Sequence, residues 1–120
     1  MSTTKRQDLI DRIAELVEVA ALLRAQLQGY EKTMTKIAAR LENGEPGIAA
    51  STGTGIPGQR RHVTEAIEEF EAARHRLRLA LFALGMEEGA SMSEIGRVLG
   101  ISRQLASRLA GEAAQADRQA

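Results

Sequence analysis

Residues 91–110, SMSEIGRVLGISRQLASRLA, decide how this chain is read. Two short helices fit the stretch, joined by a tight turn. Ser91 followed three residues later by Glu94 has the spacing of a capping box, in which a hydroxyl and a carboxylate each satisfy a backbone N–H left open by the first helical turn. Gly100 stands where the chain must take a positive φ, and a residue without Cβ does so at little cost. Ser102 is placed to cap the second helix. Ile95, Leu99, Ile101, Ala106 and Leu109 are spaced to converge on one small core, and Gly96 lets the second helix approach the first closely. These requirements define a helix-turn-helix at 91–116 rather than two arbitrary helices.

The sequence SEIGRVLGISRQLASRLAG at 93–111 resembles the helix-turn-helix of bacterial transcription regulators. It is close to the type that ends sigma-70 factors, and LGISRQLASR at 99–108 also looks like the start of Lac-type repressors. The resemblance covers about 20 residues, or some 35 if residues 77–84 serve as the preceding helix of a three-helix domain. The usual alanine of the first helix is here Gly96, and the usual inward valine of the second is Ala106, so the core is lightly packed.

The resemblance implies double-stranded DNA as partner, with the second helix in the major groove. Ser102, Arg103, Gln104, Ser107 and Arg108 would then face bases, since Leu105, Ala106 and Leu109 are needed inward. Arginine grips guanine O6 and N7, and glutamine pairs with adenine N6 and N7, each worth about 1–3 kcal/mol of discrimination. Arg97 and the amides near Met92 and Ser93, at the head of the first helix, would hold phosphates. From residue 90 onward, Arg97, Arg103, Arg108 and Arg118 stand against Glu94, Glu112 and Asp117. One surplus positive charge is a thin electrostatic footprint, so two or more units must act together.

Upstream lies a means of joining them. Leu9, Ile13, Leu16, Ala20, Leu23, Leu27, Tyr30, Met34, Ile37 and Leu41 follow alternating steps of four and three, an unbroken heptad seam. Ile10 and Val17 widen the stripe, so a bundle is as compatible as a two-stranded coiled coil. Thr4 and Gln7 offer a capping box at the start and Asn43-Gly44 a left-handed stop at the end, bounding one helix over about 4–42. At about 1.5 Å per residue it extends on the order of 60 Å. Such a stripe needs another helix, and residues 1–43 are read as an oligomerisation helix serving a homodimer or higher assembly.

Residues 44–60 change to Gly, Pro, Ser, Thr and Ala, and are read as a flexible linker without regular structure. Gly53, Gly55 and Gly58 satisfy a G-x-G-x-x-G spacing by chance, since no strand precedes them and Pro57 lies inside. A second helix is expected over 61–84, with Val63, Ile67, Phe70, Leu77, Leu81 and Leu84 on the four-three rhythm and Ala66, Ala73 and Ala80 beside them. Arg74 interrupts that seam, which predicts a broken or turned contact. Glu65, Glu68, Glu69 and Glu71 precede Arg74, His75, Arg76 and Arg78, an order that suits the helix dipole. This cluster reads as a solvated face, with phosphate contact from Arg76 and Arg78 as the alternative. Residues 61–120 together form the expected DNA-binding domain.

Composition bounds the rest. The 120 residues are 43% hydrophobic and 27% charged, with zero net charge, no cysteine, and Tyr30, Phe70 and Phe82 as the aromatic residues. An aliphatic, alanine-rich core favours an all-α fold. The absence of cysteine excludes disulfides, thiolate nucleophiles and cysteine-bound zinc, and His62 and His75 lack ligand partners at metal spacing. With no catalytic constellation and no cofactor motif, an enzyme is not expected. The charged start and the lack of a long apolar run predict neither a secretion signal nor a membrane span. The expectation is therefore a bacterial, cytoplasmic, nucleoid-associated regulator. A second reading is a coiled-coil adaptor that docks on RNA polymerase or a sigma factor through the same motif.

Overall fold

The structure, a computed structural model, describes residues 4–119. They form five helices and no strand: α1 (Lys5–Glu42), α2 (Gly47–Ser51), α3 (Ile56–Glu87), α4 (Met92–Leu99) and α5 (Arg103–Gln119). The fold is all-α and 86% helical, with the long first helix, the connector and the second helix running into a helix-turn-helix.

Local signals set the helix ends. At the head of α1 the Gln7 N–H donates to Thr4 Oγ1 at 3.0 Å. The expected box is only half formed, because the Gln7 side chain turns forward and donates to Asp11 Oδ1 at 2.9 Å. At its other end Gly44 takes φ 86°, its N–H bonding to the Leu41 carbonyl and that of Glu45 to the Arg40 carbonyl. These two bonds satisfy carbonyls that the last turn leaves open.

The connector holds more structure than its composition suggests. The expectation of no regular element over 44–60 fails at α2, and again at Ile56, where α3 begins five residues early. Pro57 is tolerated there because a first-turn residue has no use for its N–H. Hydroxyls serve the exposed carbonyls: Ser51 Oγ donates to the Gly47 carbonyl at 2.9 Å, Thr52 Oγ1 to Ile48 at 2.6 Å and Thr54 Oγ1 to Ser51 at 2.7 Å. Side chains that bond nearby backbone hold short segments in place of a long ladder.

Helix α3 runs to Glu87 and passes through Arg74 without a break, with Arg74 half-buried. The acidic and basic clusters fall in its middle, away from both end turns, so the dipole argument for their order does not apply. Its buried line is Ala66, Ala73 and Ala80, while Ile67, expected on the seam, is exposed. Small side chains let helices pack closely, and that closeness decides which face turns inward.

Packing divides the chain into two units: the residues up to Leu16 with those from Ala72 onward, and Val17–Glu71. Both α1 and α3 contribute to each. In the second unit Thr33, Ile37, Ala50 and Ala66 are buried, and Arg40 donates to the Ala50 carbonyl at 3.3 Å. Along the heptad seam, Leu9, Leu16, Ala20, Leu23, Tyr30 and Met34 are half-buried and Ile37 is buried within the single chain. Ile13, Leu27 and Leu41 remain exposed, with Ile10 and Val17 beside them.

In the first unit, Phe82 of α3 sits fully buried against Ile95 of α4 and Ala106, Leu109 and Ala113 of α5. Leu99, Ile101 and Leu105 close over this core. Burying a phenylalanine is worth roughly 1.5–3 kcal/mol, and Phe82 is the one aromatic residue of this core. Phe82 thereby makes the end of α3 the third helix of the unit.

Candidate nucleic-acid interface

The α4–α5 pair forms as its residues dictate. The Glu94 N–H donates to Ser91 Oγ at 3.1 Å and the Ser91 N–H to Glu94 Oε1 at 3.3 Å, completing the capping box. Gly100 adopts φ 68° and its N–H bonds to the Arg97 carbonyl, while that of Ile101 reaches the Gly96 carbonyl at 3.1 Å. Ser102 Oγ accepts from the Leu105 N–H at 3.1 Å, opening α5. A chain reversal with these bonds holds α5 at a fixed angle across α4.

On α5 the inward face is Ala106, Leu109 and Ala113. Ser102, Arg103, Gln104, Ser107 and Arg108 are all exposed. Met92, Ser93 and Arg97 are exposed as well, with Met92 and Ser93 at the head of α4, where backbone N–H groups lack an intrahelical partner. An open groove of about 400 Å³ runs between the two helices. Met92, Gly96, Ile101 and Ala106 supply its apolar lining, and Ser93, Arg97, Ser102 and Arg103 its polar lining.

Charge in this unit is sorted by partner. Lys5 Nζ lies 3.0 Å from Glu87 and 3.4 Å from Asp117, and Arg6 pairs with Glu88. The Lys5 ammonium is held above its usual pKa, first by its hydrogen bond to Glu87 and then by Asp117. His75 Nε2 meets Glu112 at 3.0 Å, Arg76 meets Glu15 at 2.6 Å, and Glu94 is engaged at its cap. Arg76 is thus committed within the fold, which leaves the phosphate alternative for the 74–78 cluster without one of its two cations. No hydrogen bond or ion pair holds the side chains of Arg97, Arg103, Arg108 or Arg118 among the described residues.

Sequence counting therefore misses how the acids near the α4–α5 face are engaged, Asp117 by the cation of Lys5. The acids that offset its arginines on paper are each engaged by another group, and those groups lie up to 112 residues away in sequence. No periodicity signals such a pairing. The small residues Gly96 and Ala106 mark the close helix crossing in the sequence, but not the open groove beside it.

Residues 78–117 match the model of the MarR family. The match spans one third of the chain and covers the end of α3, all of α4 and most of α5. MarR proteins are DNA-binding regulators rather than enzymes. This similarity over 78–117 supports a regulator-type helix-turn-helix in that part of the chain. No curated protein and no solved structure matches the chain. Among the described residues no helix is long and apolar enough to cross a membrane.

Proposed function

We propose that this chain is a cytoplasmic transcriptional regulator that binds double-stranded DNA sequence-specifically, as a dimer or higher oligomer, with α5 in the major groove. The observation that carries the reading is the set of arginines on α4 and α5 without a partner among the described residues, beside carboxylates, Glu87, Glu88, Glu94, Glu112 and Asp117, that are each engaged elsewhere. In this reading Ser102, Arg103, Gln104, Ser107 and Arg108 read base edges, and Arg97 with the first amides of α4 holds phosphates. The similarity to MarR regulators supports it.

Oligomerisation rests on α1. Its exposed Ile10, Ile13, Val17 and Leu27 form an apolar stretch on a helix otherwise rich in charge. A single unit with so small a footprint binds weakly, and two units on half-sites about 34 Å apart bind as one. Selection of bound sequences from a random duplex library tests the function. Enrichment of a repeated site is expected, and recovery of unenriched DNA at physiological salt would defeat it, leaving the protein-docking role on the transcription machinery.

A further inference from the structure

We infer that the groove between α4 and α5 takes the C5 methyl group of a thymine, making Met92 and Ile101 determinants of sequence specificity. The inference rests on the DNA-binding reading above and adds the one base feature that hydrogen bonds do not read. Polar side chains on α5 account for guanine and adenine, but the C5 methyl is the apolar mark of the major groove and needs an apolar surface.

The groove supplies that surface where the DNA would lie. Its accessible apolar lining is the exposed Met92 and the half-buried Ile101, over the closely packed crossing of Gly96 and Ala106. Met92, at the head of α4, is 39% exposed and so open to an incoming group. Arg97 and Arg103 also line the groove, both exposed and without a partner among the described residues. An apolar surface beside two unpaired guanidiniums suits an occupant that is anionic around an apolar group. Duplex DNA with a thymine methyl has that character, and an apolar peptide segment has the methyl without the charge.

The test uses the full chain and the duplex site recovered by selection. Each thymine is replaced in turn by deoxyuridine, which removes the methyl and keeps every hydrogen-bonding group. At one thymine per half-site the affinity should fall about fourfold, the worth of one buried methyl. Met92→Ala, a change at an exposed position that the fold tolerates, should bring the thymine-to-deoxyuridine ratio at that position towards one. Met92→Leu, which keeps an apolar side chain, should preserve the ratio. If deoxyuridine costs nothing at any position, or the ratio survives in Met92→Ala, the inference is overturned while DNA binding stands. If no duplex is bound at all, both readings fall together.

Discussion

A methyl group placed on Gly96 would stand 3.0 Å from Cβ of Ala106, closer than carbon atoms in folded proteins normally approach. Both positions are small together, and each is small because of the other. A Cβ is fixed to its backbone and has no rotamer to escape into, so relief requires α4 and α5 to move apart.

Gly96→Val should therefore destabilise the α4–α5 unit by about 1–3 kcal/mol, overpacking outweighing any gain in helix propensity. Gly96→Ala sets a propensity gain of about 1 kcal/mol against the contact. Combining it with Ala106→Gly should recover more stability than the two single changes add up to. Urea melts of the four-member cycle measure this, and strict additivity would show that the two residues do not press on each other.

Base readout and phosphate contact separate under mutation. Arg103→Ala or Gln104→Ala should cost about 1–3 kcal/mol on the selected site and leave binding to random DNA nearly intact. Arg97→Ala should weaken both alike and flatten the salt dependence by about one unit per subunit. Fluorescence anisotropy across a salt series distinguishes them, and equal losses on both DNAs for Arg103→Ala would remove it from the base-reading set.

Lys5 and Arg6 should influence DNA affinity through the carboxylates they cover. Replacing both by methionine unmasks Glu87, Glu88 and Asp117 in the unit that carries the free arginines. Affinity at low salt should drop roughly threefold to tenfold, with the loss fading as salt rises. Unchanged affinity, with helicity intact by circular dichroism, would show the carboxylates to be electrostatically remote from the DNA.

Glu15 sets an acid limit on the first unit. Its carboxyl is held below the usual carboxylate range, mainly by the hydrogen bond from Arg76 and also by the charges of Arg76 and Arg12. A depressed folded-state pKa contributes stability above the unfolded-state value, and that stability is lost as pH falls through the folded value. Glu15→Gln should thus lower the melting temperature near neutral pH, and the gap to wild type should close on acidification. A gap independent of pH would mean that Glu15 acts through packing rather than charge.

The exposed stretch of α1 should mediate self-association. Val17 is 65% exposed and Leu27 40%, so Val17→Glu with Leu27→Glu leaves the buried seam untouched. Light scattering should show monomers for this variant and at least dimers for wild type. Site-specific DNA binding should disappear with the dimer, since one unit cannot span two half-sites. A wild-type mass of one chain at micromolar concentration would end the oligomer proposal.

Local chemistry was legible in the amino-acid sequence. Ser91 with Glu94, Gly100, Ser102 and Asn43-Gly44 each act on backbone groups within a few residues, so their geometry follows from spacing alone. The outward placement of Arg103, Gln104, Ser107 and Arg108 was legible for the same reason, since helical period separates them from Leu105, Ala106 and Leu109.

Tertiary structure decided what depends on distant partners. Sequence period marks an apolar stripe on α1 but not its occupant, and most of that seam is at least half-buried within the chain itself. The alanine line of α3, rather than Ile67, turned inward because close packing rewards fit over hydrophobicity. Phe82 became the centre of the helix-turn-helix core only because α3 continues unbroken to Glu87. The free arginines of α4 and α5 owe their prominence to Lys5, Arg6 and His75, which engage the neighbouring acids. Charge is summed in space, and residues far apart along the chain become neighbours only when it folds.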